Sequence, residues 1–163
     1  MKCIFKFSFF ILSFLLVACS EKPQGVKVAG QEKELVFPKG EKIGNDNFVG
    51  TAYSNMMVTQ DSVYQTQVGN VTFEPKARTN WHKHPAGQIL LVTNGRGYYQ
   101  EKGKPAQLIQ KGNIVKIPPD TEHWHGAAPH SSLTHIAINP NINKGKVVWF
   151  MAVSEEEYNI ATK

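Results

Sequence analysis

The chain has 163 residues, with 18 Lys and Arg against 13 Asp and Glu, a formal net charge of +5, and two cysteines. This length supports one domain with a real core and excludes two. The lysines are scattered and never form blocks, which reads as a solvated surface and argues against a nucleic-acid partner.

Lys2 and Lys6 precede an apolar run from Phe7 to Val17. A spanning helix needs about 20 apolar residues. The charged start, brief apolar centre and small-residue end fit a secretory signal instead. The run closes on Leu16-Val17-Ala18-Cys19, which resembles the lipobox of bacterial lipoproteins. That resemblance implies cleavage before Cys19 and diacylation of Cys19, and so a protein anchored in the cell envelope by lipid and facing the periplasm. Two acyl chains give stable attachment where one does not. An ordinary secretory signal is the alternative. With Cys3 gone and Cys19 lipidated, no thiol remains for a disulfide. The expected organisation is a signal peptide over 1–18, a flexible tether over 19–34 and a folded domain over 35–163.

Within that domain, Phe48 to Thr59 regains apolar residues and reads as an arm or edge strand. Further strands are expected over Val63–Glu74, Gln88–Thr93, Gly97–Glu101, Ala106–Ile109, Ile114–Ile117, His123–His125, Leu133–Ile138 and Val147–Met151. Turn residues separate them, among them Asn94-Gly95, Lys111-Gly112-Asn113 and Pro118-Pro119-Asp120. Evenly spaced short strands predict an all-β sandwich or barrel. Only the tail departs, where Ser154 and Glu157 form a capping box for a short terminal helix.

All six histidines, at 82, 84, 123, 125, 130 and 135, fall in one third of the chain. Residues i and i+2 of a strand share a face. His82 with His84, and His123 with His125, therefore present two pairs of imidazoles, the commonest metal ligands near neutral pH. By the same alternation Trp81 and Trp124 point away from any ion, toward packing or a subunit interface. His130, in the Ala127–Ser132 loop, reads as a solvated residue.

Trp81-His82-Lys83-His84-Pro85-Ala86-Gly87-Gln88, followed by Gly95-Arg96-Gly97, and then Gly112, Pro118-Pro119 and His123 resemble the two motifs of the cupin superfamily. Gly69-Asn70-Val71-Thr72-Phe73-Glu74-Pro75 and His123-Trp124-His125-Gly126 extend the resemblance to small bacterial cupins that include manganese-dependent hydroxynitrile lyases. It implies a cupin barrel, a double-stranded β-helix of jelly-roll type. It also implies His82, His84, Gln88 and His123 as ligands of one divalent ion, a pocket bounded by Gly69, Val71 and Asn139, and a homodimer or homotetramer. Mn(II) is favoured on this basis. Three imidazoles and an amide also suit Fe(II), Co(II), Ni(II) or Zn(II). Many cupins carry Glu where this chain has Gln88, and the neutral amide leaves the ion's charge uncompensated.

The expected function is that of a metal-dependent lyase acting on a small molecule. The metal is its Lewis acid, His135 the proton acceptor, and His125 an orienting or donating partner. An iron-dependent dioxygenase would use the same open coordination positions. A non-catalytic envelope module that binds a metal or ligand is a third reading.

Overall fold

Short β-branched and aromatic runs separated by Gly, Pro and Asn can bury one face only by pairing with each other. In the computed structural model, which describes residues 35–59 and 63–163, they pair as an antiparallel sheet curled on itself. Lys2 to Cys19, and with them the proposed lipidation site, lie outside the described residues. The strands are β1 (Glu41–Lys42), β2 (Phe48–Val49), β3 (Ala52–Val58), β4 (Gln67–Phe73), β5 (Arg78–Thr79), β6 (His82–Lys83), β7 (Gln88–Glu101), β8 (Gln107–Gln110), β9 (Ile114–Ile117), β10 (His123–Ala127), β11 (Leu133–Asn139) and β12 (Val148–Trp149). One short helix, α1 (Glu155–Ala161), follows them. The main path runs β1-β3-β4-β11-β7-β10-β5-β2, while β12 and β10 flank β6, and β8 and β9 lie against β7.

The expected strands are present, with one informative difference. The sequence suggests a turn at Asn94-Gly95, yet β7 runs unbroken through it for 14 residues. Its first half pairs with β9 and β11 and its second with β8 and β10, so this strand joins the two halves of the curled sheet. The turn chemistry acts as a bend. The pairing with β11 slips between Thr134 and His135, and Gly95 takes φ +73° against the Ser132 carbonyl, where a Cβ would overlap it. Smaller differences lie at the ends. The Val63–Glu74 strand begins at Gln67, and Val147–Met151 contracts to two residues.

Two clusters fill the fold. Phe73, Leu90, Val92, Tyr99, Ile109, Ile117 and Leu133 form the core inside the curl. Outside it, Trp81 and Trp124 pack with Val153 and Tyr158 beneath α1. The two tryptophans therefore serve packing, as one of the two sequence expectations held. The capping box starts the helix, with Glu157 N donating to Ser154 Oγ at 3.1 Å and Ser154 N to Glu157 Oε2 at 2.8 Å.

Arg78, 1% exposed, ties this outer layer to the sheet. Its Nε and Nη2 donate to the Val153 carbonyl at 3.0 and 2.8 Å, and its guanidinium lies over the Tyr158 ring. The bond from Nη2 to Glu155 is weaker support, because that carboxylate side chain is 70% exposed. Urea unfolding should therefore separate the two contributions. Arg78→Ala is expected to lose on the order of 3 kcal/mol, and Glu155→Gln less than about 1 kcal/mol. Similar losses for both variants would mean that the exposed ion pair, and not the buried carbonyl contacts, holds the tail.

Candidate metal centre

The site begins with alternation along β10. His123 and His125 share its inner face, while Trp124 points outward into the cluster under α1. The register between β6 and β10 sets His82 directly opposite His123. Three imidazoles, those of His82, His123 and His125, thus converge with their ligand-capable nitrogens within 4.8 Å of one another. His84 stands beside this group, just past the end of β6, with its ring centroid 5.3 Å from that of His82 and 6.0 Å from that of His123. Its backbone carbonyl accepts from Gly87 N and Asp120 N, which fixes the turn carrying it.

Hydrogen bonds decide which ring atoms face inward. His82 Nδ1 donates to the Asn80 carbonyl at 3.0 Å, and His123 Nδ1 to the Thr121 carbonyl at 2.8 Å. In both cases the acceptor lies two residues earlier, and in the neutral ring the other nitrogen, Nε2, keeps its lone pair. Gln88 donates through Nε2 to Asn139 Oδ1 at 2.9 Å, which turns its Oε1 toward His123 Nε2, 3.3 Å away. A carbonyl-type oxygen and an unprotonated ring nitrogen therefore face each other across a gap that holds no proton. A cation between them relieves that repulsion, so the donor chemistry fits a divalent ion.

Burial keeps the rings neutral. It lowers the pKa of His84, His123 and His135 to about 4, with the neighbouring His123 adding to the effect on His84. His82 and His125 are lowered as well, first by burial and then by adjacent imidazoles. At neutral pH these side chains offer lone pairs and carry no positive charge that would repel a metal.

Behind the group lies a second pair. His135 Nε2 and His125 Nδ1 are 3.2 Å apart, while His135 Nδ1 and His125 Nε2 are buried without a partner. Both residues line a cavity of about 250 Å³ together with Gly69, Val71, Ala137 and Asn139. The structure therefore brings into one place His82, His84, Gln88, His125, His135, Gly69, Val71 and Asn139, with His123 adjoining through Gln88. His130 is exposed and stands apart.

Four contributors to the site were not expected from the sequence: Trp149, Phe48 and the backbone carbonyls of Asn80 and Thr121. Trp149 lies over the His82 ring at 4.8 Å, and Phe48 lies 5.8 Å from Trp149. Both line the cavity. The tail strand was expected, but its pairing with β6 was not, and that pairing is what sets Trp149 opposite His82. The carbonyls of Asn80 and Thr121 carry no signal in side-chain identity.

The model of the Cupin domain matches residues 69–138. Over 113 residues the chain is 40% identical to an (R)-mandelonitrile lyase from Granulicella tundricola, a match covering 69% of this chain and 86% of that protein. Among solved structures, a cupin-like protein from Thermotoga maritima is 50% identical, with a TM-score of 0.78 over 80% of this chain and 98% of that one. A cupin 2 conserved barrel domain protein from Rhodopseudomonas palustris shares the fold at 13% identity, with a TM-score of 0.59 over 72% of this chain and 78% of its own. With its curled antiparallel sheet, its histidine cluster and these relatives, the chain belongs to the cupin family.

Proposed function

We propose that this protein is a divalent-metal-dependent lyase that breaks a carbon–carbon bond beside a hydroxyl, with cleavage of a cyanohydrin to an aldehyde and hydrogen cyanide as the reference reaction. The observation that carries this reading is the meeting, in one cavity, of unprotonated metal donors and a buried histidine pair with two unpartnered nitrogens. The relative named (R)-mandelonitrile lyase, 40% identical, supports it.

In this reading His82, His84, Gln88 and His123 hold the ion, with Mn(II) favoured by the resemblance to manganese-dependent relatives. When bound, the ion would supply Lewis acidity toward a substrate oxygen. The remaining steps belong to the chain's own residues. In this reading the proton between His135 Nε2 and His125 Nδ1, 3.2 Å apart, sits on His135, so that His135 Nδ1 keeps a lone pair and accepts the substrate hydroxyl proton. The oxygen's electron pair forms the second carbonyl bond, and the bond to the nitrile carbon breaks with its electrons leaving on cyanide. The proton held by His135 then passes to cyanide, so the products are the aldehyde and hydrogen cyanide. Val71, Ala137 and Trp149 give the cavity apolar walls.

This proton arrangement also separates His84 from His125. A His125 ring that accepts at Nδ1 carries its own proton on Nε2 and has no lone pair for a metal. The fourth ligand position therefore falls to His84, and His125 Nε2–H is left to donate to the reacting oxygen.

Metal content and activity test these roles separately. By elemental analysis, His84→Ala should retain at least about tenfold less metal, and His125→Ala should retain the normal amount. The reverse pattern would make His125 the ligand and remove the proposed relay. Aldehyde release from mandelonitrile in the metal-saturated protein should fall by about a hundredfold or more in His135→Ala, with metal content unchanged. The base must be neutral to act, and its pKa lies at about 4. Accordingly kcat/KM should rise with pH through that region and level off by about pH 5 to 6. A midpoint near the ordinary histidine value of about 6.5, or full activity in His135→Ala, would contradict this assignment.

A further inference from the structure

The proposed metal ligands are three neutral imidazoles and an amide, so the charge of a divalent ion is left without a compensating anion from the protein. The walls do not supply one either. A second cavity of about 230 Å³ adjoins the first and shares Gln67, His84, Asn139 and Val147 with it. Among the described residues, no Asp or Glu lines either chamber. The acids nearby are engaged elsewhere. Glu101 lies behind His123, accepting from Tyr99 and Lys104, and Asp120 pairs with Lys83. The charged residue in the outer chamber is Lys146. It follows the 3-10 turn Ile142–Lys144 and Gly145, whose lack of a side chain lets this segment lie against Pro85.

We propose that the substrate of this site carries a carboxylate, with its reacting oxygen in the inner chamber beside the histidine cluster and the carboxylate in the outer chamber against Lys146. The inference rests on the metal-dependent reading for the inner chamber, and on the acid-free lining and Lys146 for the outer one. A candidate cation site in one cavity and Lys146 in the adjoining one, with no acid lining either, would select a molecule that is polar at one end and anionic at the other. A neutral aryl cyanohydrin fills only the first requirement. The chemical class is thus a small aldehyde, or a hydroxy compound that yields one, with a carboxylate at the far end. Pro85, Pro140 and Ile142 pack along its chain.

Calorimetric titration of 4-oxobutanoate and butanal into the manganese-loaded and the metal-free protein tests this directly. In the loaded protein, 4-oxobutanoate should bind about tenfold more tightly than butanal. Lys146→Ala should weaken 4-oxobutanoate by about fivefold and leave butanal unchanged, with Lys146→Arg close to the parent. Added salt should shrink the Lys146 effect, since that side chain is exposed. Equal affinity for the two ligands, or indifference to Lys146→Ala in a protein that loads manganese, would overturn the carboxylate assignment and leave the metal reading standing. A protein that takes up no manganese yet keeps the Lys146-dependent preference would sink the metal reading and support the outer carboxylate site.

Discussion

His82 and His123 meet across the pairing of β6 with β10, and each gives its Nδ1 proton to a backbone carbonyl two residues earlier. The rest of the site depends on that constraint. A ring free to rotate or change tautomer would offer either nitrogen. A ring tied to its own strand offers only Nε2, at a fixed place and without a proton. Strand register, a property of the whole sheet, is thereby converted into the position of two lone pairs.

The same sheet explains why these histidines are buried and electrically unusual. Because β7 crosses from one half of the curl to the other, Gln88 at its start comes to face His123, while Tyr99 near its end packs behind that ring. Buried imidazoles that would otherwise charge in mild acid stay neutral down to about pH 4 for His84, His123 and His135. Burial thus opposes protonation of the donor set. A cation held among these rings would be the natural source of positive charge there, and its contacts with the lone pairs would offset the cost of burying so many polar groups.

Much of this was legible in the sequence, for identifiable reasons. Period-2 alternation separates His82, His123 and His125 from Trp81 and Trp124, and the structure sends the tryptophans to the layer under α1. The pair Ser154 and Glu157 announces a helix start that local hydrogen bonding alone secures. Other features depend on pairing between distant segments, which no local pattern encodes. Asn94-Gly95 has the composition of a turn, but the neighbouring Ser132 carbonyl and the slip beside Thr134 make it a bend in a continuous strand. Trp149 becomes a wall of the cavity only because β12 docks on β6, and the bond from Gln88 to Asn139 joins residues 51 positions apart. The closeness of His125 to His135 likewise arises from β10 and β11, which pair with different halves of β7.

The central claim is that neutral donors fixed by the backbone hold a divalent cation. Anomalous diffraction at the manganese edge, from crystals grown with manganese, tests it most directly. The account predicts one peak within bonding distance of His82 Nε2, His123 Nε2 and Gln88 Oε1, with both Nδ1 atoms still bonded to the carbonyls of Asn80 and Thr121. A peak bonded through Nδ1, or a full-occupancy ion elsewhere with these donors unliganded, would contradict it.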